Sequence, residues 1–196
     1  MKQLISISES LIDEALSRAK EQEAVYGHNT GHFTLKTEKE NTIIGVIGEL
    51  TVRDWLNDSA KRAGSAARFT ESNLGAPIDL ILNGAVDTTI SGLHVKTGLW
   101  RKWPTENLEF GIHADQGIES SGQPLVLVTL LKSQEKWPKF SRIEGFISCE
   151  ELAKLPIIKK GEKFKSSGVI SRTDNIVTSF GQYKPIAELS ERLFKV

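Results

Sequence analysis

Residues 77–97 read PIDLILNGAVDTTISGLHVKT and indicate two neighbouring β-strands. Residues 78–82 form a largely apolar run, and residues 93–97 alternate between apolar and polar side chains. Asn83-Gly84 lies between them and is typical of a two-residue hairpin turn. The stretch therefore predicts an antiparallel strand pair joined at this dipeptide.

Three polar side chains on these strands are expected to meet. Successive side chains of a strand point to opposite faces, so His94 and Lys96 share one face. Asp79 lies on the partner strand and converges with them if the strands pair. Burying an unpaired ammonium is costly, so a lysine flanked by apolar residues requires a neighbouring acid. The simpler alternative is an Asp79–Lys96 ion pair with no chemistry.

A helix predicted over residues 43–62 adds a second acid. Gly45 and Gly48 interrupt its pattern, and each costs about 1 kcal/mol relative to alanine. We therefore expect another backbone to approach closely there and to hold Glu49 against the hairpin. Glu49 beside Asp79 suits Mg²⁺, which takes one or two carboxylates plus water and phosphate oxygens. The alternative for Glu49 is an ordinary solvated helix residue.

This order of residues resembles the PD-(D/E)XK nuclease superfamily, which has the restriction-endonuclease-like fold. The motif of that superfamily is an Asp at the start of one strand and (Glu/Asp/Gln)-x-Lys on the next, often preceded by a helical Glu. Residues 77–79 (PID) match the first half with one residue inserted, and residues 94–96 (HVK) match the second. Glu49 stands for the helical acid. The resemblance covers roughly residues 43–150.

The resemblance implies an α/β fold in which a mixed central β-sheet is flanked by helices. Residues 1–196 would form a single nuclease-like domain, with a catalytic core at about 43–150 and a C-terminal basic region and helix at 151–196. It also implies a Mg²⁺-dependent endodeoxyribonuclease of the restriction or phage-defence type. The expected partners are double-stranded DNA and a second copy of the chain, as a homodimer.

The resemblance also assigns roles to the site residues. Asp79 would bind Mg²⁺ directly, with Mn²⁺ as a possible substitute, and the Val95 carbonyl would be a further ligand. Glu49 would bind the metal directly or through water. Lys96 would orient the attacking water, help to deprotonate it and stabilise charge on the phosphate.

His94 departs from the motif, because the superfamily usually has a carboxylate or amide there. An imidazole is a poor Mg²⁺ ligand and a better one for Mn²⁺. His94 would therefore act through water, shift the metal preference or mark a degenerate site. The alternative function is a nuclease-fold protein that binds nucleic acid or a partner without cutting. A third hypothesis is an interaction domain of a larger assembly.

Two segments are candidates for DNA contact. Trp100, Arg101 and Lys102 follow the strand directly and combine an aromatic ring with two cations. Lys159 and Lys160 belong to a stretch, residues 132–172, that holds 10 basic and 5 acidic side chains. The alternatives are a tryptophan that covers the core and a solvated lysine-rich loop.

Composition limits the remaining possibilities. The chain has 25 basic and 25 acidic residues and a formal net charge of zero, so a non-specific polyanion binder is not favoured. Cys149 is the one cysteine, which excludes an internal disulfide and a cysteine-only zinc cluster. No apolar run is long enough to span a bilayer and no secretory signal is visible, so we expect a cytoplasmic protein without a membrane partner. His28 and His32 are not expected to form a metal pair, and His113 is a weak candidate for substrate contact.

The remaining pattern predicts the other elements of a mixed fold. A first helix capped by Ser8 or Ser10 precedes a loop over residues 26–41. Residues 125–131 (LVLVTLL) predict a strand buried on both faces, and residues 142–147 predict another. Ser148-x-x-Glu151 predicts the start of a short helix, and a last helix is expected from Pro185 to about Phe194.

Overall fold

The computed structural model describes residues 2–26, 35–73, 78–84 and 89–194. The helices are α1 (Glu9–Tyr26), α2 (Leu35–Arg62), α3 (Cys149–Leu152) and α4 (Ile186–Leu193). The strands are β1 (Gln3–Ser6), β2 (Arg68–Glu71), β3 (Leu80–Asn83), β4 (Gly92–Trp100), β5 (Glu109–His113), β6 (Leu125–Leu131), β7 (Phe140–Ile147), β8 (Ile157–Ile158) and β9 (Asn175–Ser179). Short 3-10 turns cover Ala114–Gln116, Ile118–Ser120 and Phe180–Gln182.

The described strands form two sheets. The larger has the order β1-β7-β6-β4-β3-β2, and the smaller has the order β5-β9-β8. Strands β4 and β6 are parallel, and the other neighbours are antiparallel. The larger sheet is therefore mixed and has helices beside it, which confirms the predicted α/β class. No described helix has the length and apolar character needed to cross a membrane.

Helices α1, α2 and α4 pack on one face of the larger sheet. Ala15, Leu50 and Leu189 contribute one buried side chain from each helix to this cluster. Helix α1 begins at Glu9 because the Ser8 hydroxyl accepts a hydrogen bond from the Leu11 N–H at 3.2 Å. Ser8 is therefore the cap of the first helix, one of the two predicted serines.

The smaller sheet covers the opposite face of the larger one. Ile112 from β5 and Ile176 from β9 pack with Leu125 and Leu127 of β6 in a second buried cluster. The alternate residues of β6, such as Val126, belong to the helix-side cluster. Strand β6 is thus buried on both faces, as the continuous apolar run predicts.

Helix α2 is longer than the sequence predicts. It begins at Leu35 rather than near residue 43, so residues 35–41 are helical and the predicted loop is wrong there. Residues 27–34 of that loop, with His28 and His32, lie outside the described residues. The predicted start of α3 is confirmed, because Ser148 and Glu151 form the reciprocal capping box.

The predicted two-residue turn is also wrong, although the strands that it was meant to join are neighbours. Strand β3 ends at Asn83, and β4 does not begin until Gly92. Asn83 instead pairs with Arg68 of β2, and its side-chain amide donates to the Thr70 hydroxyl at 2.7 Å. Asn83, the first residue of the predicted turn, therefore belongs to the ladder between β2 and β3.

Candidate active site

Strands β3 and β4 separate after a short ladder, and Asp79 lies at the point of separation. Leu80 pairs with Leu93, and the Asp79 N–H donates to the Leu93 carbonyl at 3.0 Å. The next amide of β4 that faces β3 belongs to Val95, and it donates to the Asp79 carboxylate, at Oδ2, over 2.7 Å. A side-chain carboxylate therefore replaces the backbone carbonyl that would continue the ladder.

The main chain of Val95 faces this fork. The His94 N–H donates to the Pro124 carbonyl, on the β6 side of β4. Backbone groups of successive strand residues point to opposite edges, so the N–H and the carbonyl of Val95 point toward β3. The Val95 carbonyl therefore lies on the same edge of β4 as the Asp79 carboxylate, where the resemblance expects a further oxygen ligand.

Asp79, His94 and Lys96 lie on one face of the larger sheet. Val95 is buried in the helix-side cluster, so its neighbours His94 and Lys96 face the other side. Leu80, next to Asp79, is buried in the same helix-side cluster, so Asp79 faces the side of His94 and Lys96. The three side chains therefore share the face that strand alternation predicts.

Glu49 reaches the same place from helix α2. The helix packs closely on β4 at Gly48, where an added Cβ would lie 1.9 Å from the Thr97 hydroxyl oxygen. Gly48 therefore marks a close approach, to a side chain rather than to a backbone, whereas a Cβ on Gly45 would meet nothing within 4 Å. Glu49 follows Gly48 directly and is half-buried.

Burial raises the pKa of the Glu49 carboxyl to about 7, and the negative charge of Asp79 adds to the increase. Arg18 and Lys96 oppose the increase, and Glu71 contributes a smaller one. Glu49 makes no hydrogen bond or ion pair with any described residue. Two carboxylates thus face one desolvated region with incomplete compensation, a region that attracts a cation.

Lys96 is half-buried and makes no ion pair with a described carboxylate. The simple Asp79–Lys96 ion pair is therefore not formed in the structure. The positive charge of Lys96 acts on Glu49, whose pKa it lowers, and on His94. Its ammonium group remains available to a further anion.

His94 is buried and held in one tautomer. Its Nε2 lies 2.8 Å from the Ser121 hydroxyl, which donates its single hydrogen to the Ile118 carbonyl at 2.7 Å. Nε2 must therefore carry the proton and donate to Ser121, which leaves Nδ1 unprotonated in a neutral ring. Burial lowers the pKa of His94, and Lys96 lowers it further against the opposing effect of Asp79.

A network of charged residues adjoins Glu49, and no sequence pattern indicates it. Arg53 binds Glu14, with one contact at 3.0 Å, and also binds Glu71. Arg18 binds the second Glu71 oxygen at 3.0 Å. Glu71 is therefore paired twice, in contrast to Glu49. These residues are far apart in sequence and follow no motif, so only the fold brings them together.

The donor set fits a hard divalent cation that keeps part of its water. Glu49, Asp79 and the Val95 carbonyl supply oxygen only, which suits Mg²⁺ or Mn²⁺. Across the described ranges no group of three or more His, Cys, Asp and Glu side chains is arranged to hold a metal. A cation held by Glu49 and Asp79 would therefore need water or phosphate oxygens to complete its coordination.

The residues after Lys96 that were predicted to contact DNA lie at the far end of β4. The Trp100 ring packs edge-on against Phe180, with centroids 5.6 Å apart, and lies over Gly98, where an added Cβ would be 2.6 Å from the indole nitrogen. Trp100 is therefore engaged in the core beneath the smaller sheet. Arg101 and Lys102 are exposed, and their contact with DNA stays a prediction.

The described residues among the remaining candidates for DNA or substrate contact do not come together in one site. Lys159 pairs with Asp174 at 2.8 Å, and Lys160 is exposed. His113 is exposed, with Nδ1 at 3.4 Å from a threonine hydroxyl. Cys149 is half-buried at the start of α3. Pro77, the first residue of the proposed motif, lies outside the described residues.

No protein-family model, curated protein or solved structure matches this chain. The geometry of the fork and the chemistry of its residues are therefore what indicate a function.

Proposed function

We propose that this chain is a metal-dependent endonuclease that hydrolyses phosphodiester bonds of double-stranded DNA. The observation that carries the proposal is the convergence of Glu49, Asp79 and Lys96 at the fork between β3 and β4. Two carboxylates and a lysine with no carboxylate partner in the structure are what hydrolysis of a phosphodiester requires: oxygen ligands for a cation and a positive charge for the phosphate.

The arrangement of the larger sheet supports a restriction-endonuclease-like fold. An antiparallel pair, β3 and β4, carries the Asp and the x-Lys, and β6 follows in parallel beside β4. Helix α2 packs on the other face of the sheet, and the charge of its Glu49 interacts with Asp79 and Lys96 at the fork. Apart from the Asn83-Gly84 turn, this order of elements agrees with the resemblance to the PD-(D/E)XK superfamily.

Each residue has a defined task in the proposed hydrolysis. Asp79 is fixed by the Val95 N–H, so its second carboxylate oxygen is presented in one orientation. Glu49 provides a second oxygen ligand from α2. A divalent cation bound there lowers the pKa of a coordinated water and offsets phosphate charge. Glu49 is on helix α2, whereas Asp79 directly precedes β3 and is held by its bond to the Val95 N–H.

Lys96 acts on the reacting groups. Hydrolysis joins a water oxygen to phosphorus and breaks the bond from phosphorus to the leaving oxygen, which takes up a proton. An ammonium has hydrogens to donate and no lone pair, so Lys96 orients the attacking water and stabilises the charge that develops on the non-bridging phosphate oxygens. Lys96 therefore helps the water to lose its proton by stabilising the charge that results, and not by accepting the proton itself.

The proposed physiological role is restriction or phage defence, and the proposed assembly is a homodimer. One small domain with one fork cuts one strand of a duplex. A two-fold pair of such domains would match the symmetry of double-stranded DNA and cut both strands.

One observation favours the second candidate, a nuclease-fold protein that binds nucleic acid or a partner without cutting. His94 is neutral and donates to Ser121, so the position that usually supplies a third acidic group adds no negative charge here. Binding of Mn²⁺ that is lost in Asp79→Ala would argue against this candidate.

The test is incubation of the purified protein with supercoiled plasmid in Mg²⁺, in Mn²⁺ and in EDTA. We expect metal-dependent nicking or linearisation, lowered at least about 100-fold in Asp79→Asn and in Lys96→Met. Asp115→Asn and Lys154→Met are matched controls, because both residues are exposed and distant in sequence from the fork. Equal cleavage by wild type and Asp79→Asn would reject the proposal.

A further inference from the structure

Residues 161–171 form a β-hairpin that the function proposed above does not use, and we refer to it as the basic hairpin. The Ser171 N–H donates to the Glu162 carbonyl at 2.8 Å, and the Phe164 N–H donates to the Val169 carbonyl at 2.9 Å. Gly168 closes the tip with a φ of +68°, a left-handed conformation that favours glycine.

The basic hairpin is fastened to the smaller sheet. The Ser166 N–H donates to the Glu109 carboxylate at 2.9 Å, and the Glu109 N–H donates to the Ser166 hydroxyl at 2.8 Å. Phe164 packs on Gly111, where an added Cβ would lie 2.7 Å from the ring. The hairpin is therefore a preorganised element, and a ligand that binds it meets a low entropic cost.

The outward surface of the basic hairpin and its flanks is cationic. Residues 159–172 hold five basic side chains and one acid, Glu162, although the whole chain is neutral. Lys159 is paired with an aspartate outside this stretch. The other four cations are exposed and make no ion pair with any described residue: Lys160, Lys163, Lys165 and Arg172.

Two aliphatic side chains are exposed among these cations. Val169 is 60% exposed and Ile170 is 55% exposed, and Ile170 lies directly opposite Lys163 in the hairpin. These two side chains place apolar surface directly beside unpaired cations. They fit a partner that offers negative charge and an apolar surface together.

The basic hairpin lies on the same side of the larger sheet as part of the proposed active site. The smaller sheet, to which the hairpin is fastened, covers the face that carries His94 and Lys96. The basic hairpin and these two side chains are therefore on the same side of the larger sheet.

We infer that the basic hairpin is a second contact for duplex DNA, and this inference rests on the proposed nuclease function. Lys163, Lys165 and Arg172 bind backbone phosphates, and Val169 and Ile170 contact the sugars and base edges of the minor groove. Minor-groove binders use this combination of cations and apolar side chains, and the groove presents few sequence-specific groups. The contact therefore adds affinity with little sequence preference.

The test is the affinity for a fluorescently labelled duplex in EDTA, measured by anisotropy at several salt concentrations. We expect the triple variant Lys163→Gln/Lys165→Gln/Arg172→Gln to bind more weakly and to lower the slope of log K against log[salt] by about 2–3, since each phosphate contact contributes about 0.9. The matched control replaces Lys61, Lys136 and Lys154 by Gln, three exposed lysines outside the hairpin. It should retain the wild-type slope.

The double variant Val169→Ser/Ile170→Ser separates the apolar contact from the phosphate contacts. It should weaken binding several-fold with an unchanged salt slope, since it removes no charge. Unchanged affinity and slope in the triple variant, or a loss equal to that of the control, would overturn the inference. Binding of the wild-type protein to anionic lipid vesicles, and not to the duplex, would also overturn the inference.

The inference and the proposed function fail separately. EDTA prevents cleavage, so the assay measures duplex binding without cutting, and the triple variant assigns the contribution of the basic hairpin. Asp79→Asn should bind the duplex as wild type does in EDTA and yet fail to cut it in Mg²⁺. If cleavage depends on Asp79 but binding does not depend on the hairpin cations, the proposed nuclease function stands and the hairpin contact is rejected.

Discussion

Val95 donates its backbone N–H to the Asp79 carboxylate over 2.7 Å, at the point where strands β3 and β4 separate. This bond gives Asp79 two roles, one in the fold and one in the proposed chemistry. It closes the strand ladder, and it orients the carboxylate that would bind the metal. The two roles can be separated by substitution.

Asp79→Asn and Asp79→Ala should differ in stability and agree in activity. The Asn carbonyl oxygen still accepts the Val95 N–H, so the free energy of unfolding should change by less than about 1 kcal/mol. Asp79→Ala leaves that N–H without its partner and should cost about 1–3 kcal/mol. Chemical denaturation measures both, and equal stability of the two variants would show that the bond does not support the fold.

Glu49 should make the metal-free protein less stable as pH rises. Its pKa is about 7 in the folded protein against an ordinary value of 4.5, so folding favours the protonated form. The folded state is therefore relatively destabilised as pH rises from about 4.5 to 7, and the full penalty is present above pH 7.

Glu49→Gln removes this penalty. We expect it to be more stable than wild type by roughly 2–3 kcal/mol at pH 8 in EDTA, with the difference gone near pH 4. Mg²⁺ should stabilise wild type and not the variant. Denaturation at several pH values measures this, and a pH-independent difference would show that Glu49 does not titrate as described.

Much of the site followed from local periodicity. Strand alternation is a short-range property, so the shared face of His94 and Lys96 was predictable from five residues. The close approach predicted from the two helix glycines is found at Gly48, which lies against Thr97. It is not found at Gly45, where an added Cβ would meet nothing within 4 Å.

The rest depended on contacts between distant parts of the chain. Strand β1 pairs with β7, so Leu4 lies opposite Arg142, and no local pattern of four residues indicates that pairing. The smaller sheet is built from short strands whose partners are equally remote. Asn83-Gly84 was misread because pairing of Asn83 with Arg68 prevailed over the turn propensity of the dipeptide.

Gly48→Ala should destabilise the protein, whereas Gly45→Ala should not. A Cβ on Gly48 would clash with the Thr97 side chain, which forces α2 away from β4 at a cost of about 1–3 kcal/mol. Gly45 has open space, so alanine there should add up to about 1 kcal/mol of stability through helix propensity. Thermal unfolding of the pair measures the contrast, and similar melting temperatures would contradict the close approach.

His94→Glu should shift the metal preference toward Mg²⁺. The substitution replaces a neutral imidazole by a carboxylate, and hard oxygen ligands favour Mg²⁺ over Mn²⁺ relative to a nitrogen ligand. His94→Gln is the control, because its amide still donates to Ser121 and adds no charge. The ratio of Mg²⁺ to Mn²⁺ affinities measures the effect, and an unchanged ratio in both variants would show that position 94 does not face the metal.

The central claim is that Glu49 and Asp79 share one divalent cation at the fork, and direct titration with Mn²⁺ followed by electron paramagnetic resonance tests it. We predict one tight site in wild type and in the exposed control Asp115→Asn. Binding should weaken at least about tenfold in Glu49→Gln and more in Asp79→Asn. Mn²⁺ binding of equal strength in wild type and both site variants, or no binding to wild type, would contradict the account.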